Sequence, residues 1–149
     1  LEYDHLAVAL KKLAEIDDDK DKSTLQQSQH PESYAFSPES LASMTPAKMN
    51  ELLEPHLRGY YLDNLEKRAM LWKEVGETLL QHFDGSASKL LARAEKDAAK
   101  LVELIFHFFP GFRDEIQNDG RQNIFFLKRA QIFVGDVNAA LKLGMDGME

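Results

Sequence analysis

The chain has 149 residues, 44% of them hydrophobic and 29% charged, which suits one ordinary domain with a real core and makes globular a better default than disordered. No apolar run reaches the roughly 18 residues that span a bilayer, and the opening LEYDHLAVALKKLAE has no basic n-region, so it is not a signal peptide. A net charge of −7 disfavours a tRNA or DNA backbone as ligand while leaving a single nucleotide open, and the absence of Cys removes disulfide and thiolate chemistry and fits a reducing, cytoplasmic setting.

The apolar spacing is helical almost throughout, so the expected class is all-α, a multi-helix body. The chain begins with Leu1 and ends at Gly147-Met148-Glu149 with no clear stop to its last pattern, and the expectation is a segment of something longer that forms a single helical domain or part of one over 1–149. A first helix is expected from about Asp4 to Ile16, with Leu6, Leu10, Leu13 and Ile16 on one face. The stretch from Asp17 to Ser33, DDDKDKSTLQQSQHPES, is almost devoid of apolar residues and reads as a mobile polar loop. Ser37 before Pro38 and Thr45 before Pro46 each mark the start of a short helix, because proline at the first helical position loses no intrahelical hydrogen bond.

The clearest helix is expected from about Tyr60 to Phe83. Leu62, Leu65, Ala69, Trp72, Gly76, Leu79 and Phe83 alternate spacings of three and four, one stripe for packing on other helices. Asp84-Gly85 then stops it, with glycine free to take the left-handed conformation. Another helix is expected from about Ser88 to Phe109, ended by Pro110-Gly111. Asn118-Asp119-Gly120 marks a tight turn, with room for a small hairpin near residues 116–124. A last helix, from about Asn123 to Leu143, is apolar nearly all round, the pattern of a helix enclosed by neighbours.

The polar residues of that last helix are its most informative feature. At 100° per residue, Lys128, Gln131, Gly135 and Asn138 share one narrow stripe, and Arg129 and Asp136 mark a second. A buried Lys or Arg must reach an acid, a ligand or water. The first stripe therefore offers donors beside a gap left by Gly135, where a nucleotide or modified base could sit. Against this stands the plainer reading that Lys128 and Arg129 reach solvent or pair with structural acids, as charged helix residues commonly do.

Other side chains carry less. His56, His82 and His107 lack the spacing of a metal-binding helix, and no metal is expected. His82 sits where a helix C-terminus favours a cation. Asp84-Gly85-Ser86 reads as a cap and turn, since no Gly-x-Ser-x-Gly frame surrounds the serine. Phe106, Phe108, Phe109 and Phe112 read as core, and Asp114-Glu115 as a solvated pair. On these residues alone no catalytic group is assigned.

Four phrases in order carry a resemblance. Phe109-Pro110-Gly111-Phe112-Arg113-Asp114 is followed by Leu127-Lys128-Arg129-Ala130-Gln131-Ile132, with Asp136 beyond; upstream stand LWKEVGETLLQHFDG over 71–85 and SKLLARAEKDAAKLVELI over 88–105. They resemble the "FPSFRD", "YKRAQI", "ILNEVGKVLLEKFGG" and "SAQKLVQLI"-like phrases of the queuosine salvage protein family, and the order agrees from about Tyr34 to Leu141. The resemblance implies a helical fold like that of DNA glycosylases. It also implies hydrolysis of the N-glycosidic bond of queuosine 5'-phosphate to queuine and ribose 5-phosphate, for salvage into tRNA modification, with no cofactor. Lys128 matches the family's substrate-contacting lysine; Gln131, Arg129 and Asp136 are weaker candidates for substrate binding. The acids that family members use lie in downstream phrases, "MFADYR" and "LWDYA", that no residue here matches. Tyr3-Asp4-His5-Leu6 departs from the family's "YWSL", Leu127 replaces its aromatic before the lysine, and the loop Asp17–Ser33 is more acidic and polar than the family's.

The expected ligand is thus a small molecule, with no nucleic-acid polymer and no membrane as partner. The competing reading is a non-catalytic helical adaptor that binds a partner helix through an exposed apolar face.

Overall fold

The computed structural model describes residues 3–23, 34–118 and 121–142. The chain groups into two compact units, Leu1–Leu80 and Gln81–Glu149. Helices dominate, as the periodicity predicts, and among the described residues none is long and apolar enough to cross a membrane.

The first unit contains α1 (Tyr3–Ser23), α2 (Pro38–Ala42), α3 (Pro46–Leu53), a 3-10 turn over Glu54–His56 and most of α4 (Leu65–His82). α1 overruns its expected end at Ile16 by about two turns. A polar stretch without Gly or Pro does not break a helix, and Lys11 pairs with Glu15 one turn on. Asp17, expected in a mobile loop, accepts the backbone N–H groups of Ala35 (2.9 Å) and Phe36 (3.0 Å) on its two carboxylate oxygens. The remainder of that expected loop, 24–33, lies outside the described residues.

Both proline-marked starts hold. Ser37 Oγ accepts Ser40 N–H at 3.1 Å and Thr45 Oγ1 accepts Lys48 N–H at 3.2 Å. α4 starts at Leu65 rather than Tyr60, because Asn64 takes a φ of 51°, which a right-handed helix cannot contain. Leu62 is nonetheless buried, so its place in the apolar stripe holds for burial and not for conformation. The core gathers Ala9 and Leu13 of α1, Met49 and Leu53 of α3, and Met44, Leu57, Leu62 and Ala69. Gly76 lets α4 cross α2 closely: a Cβ there would lie 2.6 Å from Pro38 O and 2.7 Å from Leu41 C.

The second unit contains the end of α4, α5 (Ala87–Arg93), α6 (Ala98–Phe108), a 3-10 turn over Pro110–Phe112, a hairpin of β1 (Asp114–Asn118) and β2 (Arg121–Phe126), and α7 (Lys128–Leu141). The single helix expected over 88–109 is two. Glu95 and Lys96 take φ of 56° and 64°, and Asp97 starts α6 by accepting Lys100 N–H at 3.1 Å.

The expected hairpin is present. It pairs Asp114 with Phe126, Glu115 with Phe125 and Ile116 with Ile124, with an irregularity before Asn118↔Arg121. Residues 123–126 therefore belong to β2 and not to the last helix, which begins at Lys128. An apolar run this short is ambiguous between strand and helix, and pairing with β1 decides for strand.

Candidate functional site

The phrase Phe109–Asp114 ties three elements together. Phe109 is buried and stacks on Phe83 at 6.1 Å between centroids. Phe112 meets Phe109 edge-on at 6.2 Å and Phe133 of α7 at 5.1 Å. Arg113 donates from Nε to Phe106 O at 2.7 Å and from Nη2 to His107 O at 2.5 Å, satisfying carbonyls in the last turn of α6 that have no intrahelical partner.

Asp114 does the same for the other end of the next helix. Its Oδ2 accepts the backbone N–H of Arg129 at 2.9 Å, and its Oδ1 pairs with Arg129 Nε at 2.8 Å. Leu127, the residue at the N-cap of α7, supplies no side-chain cap. The antiparallel pairing of Asp114 with Phe126 brings this distant carboxylate to the helix start. The expectation of a solvated Asp114-Glu115 pair is thus corrected for Asp114, whose side chain is 21% exposed. Arg129 fits the plainer reading of its stripe: it pairs with a structural acid and also donates to Gly111 O at 3.4 Å.

α7 is less enclosed than its composition predicts. Only Ala130 and Val134 are buried, one turn apart on the same seam, and α7 packs on α6. A helix that packs through one i, i+4 seam leaves most of its circumference uncovered. Lys128, Gln131 and Asp136 are all exposed, and among the described residues none has a side-chain hydrogen bond or ion pair. Gly135 and Asn138 are half-buried. The stripe exists, but its Lys128 ammonium stands at an exposed surface and not in an apolar enclosure.

A cleft of about 590 Å³ adjoins this helix start. Arg93, Lys100, Phe106, His107 and Phe108 line it together with Leu127, the residue before Lys128; Lys128 itself does not. Arg93 lies over the ring of Phe108 at 5.2 Å, a cation–π contact that sequence spacing does not signal. His82, read as a structural residue at a helix end, closes α4 and packs its ring on Phe108 at 4.9 Å. Asp84-Gly85 forms the expected turn, both residues at positive φ. Lys89 hydrogen-bonds Asp84 and, by that bond and its charge, holds the carboxyl below its ordinary value. Among the described residues no three His, Cys, Asp or Glu side chains are grouped to hold a metal.

Comparison with known proteins gives this arrangement its context. A family model described as "Queuosine salvage protein" matches residues 2–147. A protein of Dictyostelium discoideum named queuosine 5'-phosphate N-glycosylase/hydrolase is 44% identical over 79 residues, 53% of this chain and 24% of that protein. Its namesake from Mus musculus is 39% identical over 83 residues, 56% of this chain and 24% of the relative. The namesake from Sphaerobacter thermophilus is 40% identical over 76 residues, 51% of this chain and 23% of the relative. The matched stretch spans about a quarter of the length of these curated relatives.

Proposed function

We propose, because this chain belongs to the queuosine salvage protein family, that it is part of an enzyme hydrolysing the N-glycosidic bond of queuosine 5'-phosphate. The family match over 2–147 carries the reading, and the activity named for the relatives supplies its substrate. In the reaction, the bond between the ribose anomeric carbon and the base nitrogen breaks through an oxocarbenium-like state. Water supplies the new C–O bond, and its proton ends on the departing queuine. Carboxylates that stabilise the cationic sugar and donors that stabilise the leaving base lower such a barrier. No metal or organic cofactor enters this balance.

Within this chain, Lys128 is the residue proposed to hold the substrate. Its ammonium is exposed with no partner among the described residues, and a lysine donates charge-assisted hydrogen bonds to an anionic or carbonyl acceptor. Gln131 and Asp136 are the secondary candidates on the exposed side of α7. Arg129 is committed to Asp114, so it serves the helix before it serves a ligand. No catalytic acid is assigned to any residue of this chain. The helical frame is proposed to follow that of DNA glycosylases, and the setting to be cytoplasmic.

One observation favours the adaptor reading: Ile132 and Leu141 on α7 are 54% and 57% exposed. Incubating the natural protein that carries this chain with queuosine 5'-phosphate decides between them, with free queuine read by chromatography. Release of queuine supports the enzyme; none overturns it. Lys128→Ala is expected to lower kcat/KM by at least about tenfold, the scale of one lost hydrogen bond to a charged group. An unchanged kcat/KM removes Lys128 from the site.

A further inference from the structure

We infer that Asp114 is a positioning residue for Lys128, acting through Arg129; this rests on the proposed hydrolase function. A lysine at the first residue of a helix points where that first turn points. The first turn of α7 has no cap of its own, since Leu127 carries no acceptor. The N–H that a local cap would satisfy, that of Arg129, is taken by Asp114 Oδ2 at 2.9 Å. The second oxygen grips Arg129 Nε at 2.8 Å, so one carboxylate fixes both the backbone and the side chain of the residue next to Lys128. A single hydrogen bond would leave the turn free to pivot; two bonds to one planar group do not.

The carboxylate is itself anchored. Asp114 opens β1 opposite Phe126, and the preceding Arg113 is bonded to Phe106 O and His107 O at the end of α6. The start of α7 is thereby referenced to α6 through the consecutive residues Phe112, Arg113 and Asp114. Asp114 does not line the cleft, and its bonds run to Arg129 and not to Lys128, so its effect on turnover is indirect.

The test is a double-mutant cycle in the natural protein, with kcat/KM on queuosine 5'-phosphate as the readout. Asp114→Ala is expected to cost about tenfold, the scale of a lost cap. Asp114→Asn, which keeps an oxygen for the Arg129 N–H but loses the grip on Arg129 Nε, should recover only part of it. In the Lys128→Ala background, Asp114→Ala should cost less than about twofold, because nothing is left to position. An equal loss in both backgrounds overturns the inference, as does wild-type turnover by Asp114→Ala. If Asp114→Ala does not fold, Arg129→Gln replaces it in the cycle, removing the ion pair but not the backbone bond. A smaller loss in the Lys128→Ala background then supports the inference, and an equal loss overturns it. A wild type that releases no queuine is a different failure: the hydrolase function falls, and the positioning role with it.

Discussion

The two units are held by different means. In the first, large side chains of α1, α3 and α4 meet in an apolar cluster, with Met49, Leu53 and Leu57 each 1% exposed, and Gly76 brings α2 against the α4 backbone. In the second, a chain of aromatic rings from Phe83 through Phe109 and Phe112 to Phe133 is joined by side chains that bond backbone at helix ends. The first unit is expected to fail chiefly on a change of volume, and the second, whose Leu101 and Ile105 are buried as well, to fail also on loss of a polar group at a helix end. The family-like phrases over 109–114 and 127–132 fall in the second unit, where Arg113, Asp114 and Arg129 act first as construction.

This contrast can be broken at Gly76. Alanine would gain up to about 1 kcal/mol in helix propensity. Its methyl would press on backbone atoms of α2 that have no rotamer to yield, costing about 3 kcal/mol by overpacking. The clash wins, and Gly76→Ala should destabilise the protein by roughly 2 kcal/mol net in denaturant unfolding. Fast amide exchange confined to the first unit would sharpen the division; exchange rising equally in both would erase it.

A mid-sized effect is expected at Arg113. Arg113→Leu deletes both bonds to α6 carbonyls together with the guanidinium contact over Phe106, for a loss of about 1–2 kcal/mol. Amides at the end of α6 should lose protection first. A leucine variant as stable as wild type would show that aromatic packing alone holds this unit.

The smallest effect belongs to the surface pair of Lys89 with Asp84. The folded carboxyl titrates below its unfolded value, so the pair's contribution is fully present above the ordinary carboxylate pKa and is lost as pH falls through the lowered one. Lys89→Met should lower Tm slightly at neutral pH, with the difference vanishing in strong acid. A difference that persists there would mean the lysine acts through packing.

Much of the frame is legible in the sequence because its signals are local. Ser37-Pro38 and Thr45-Pro46 place oxygen and proline side by side, and both caps form. Of the expected stripe, Leu62, Ala69, Gly76, Leu79 and Phe83 are buried as the spacing predicts, and Leu65 and Trp72 partly so. What escapes is nonlocal or conformationally silent. Glu95 and Lys96 are ordinary helix formers, and nothing in their chemistry announces a left-handed pair between α5 and α6. Asp97 could have announced it, as a capping aspartate before Ala-Ala-Lys. The reach of Asp114 to Arg129 depends on a hairpin register that no spacing rule supplies. Nor does a helical wheel say how many of its sides will be covered, which is why the pattern leaves Lys128 open between a gap beside Gly135 and solvent, and the fold leaves it exposed.

The borrowed cap on α7 also orders events in time. A helix nucleus is costly, because several dihedral angles are fixed before the first hydrogen bond repays them. For α7 that cost is offset in part by a group 15 residues upstream in the chain. Pairing of the strands, on the order of microseconds, is what brings the acceptor to the helix start. The last helix is therefore expected to form late, and a substitution that weakens the pairing of β1 with β2 should be felt as slow or incomplete coiling of a segment it never touches.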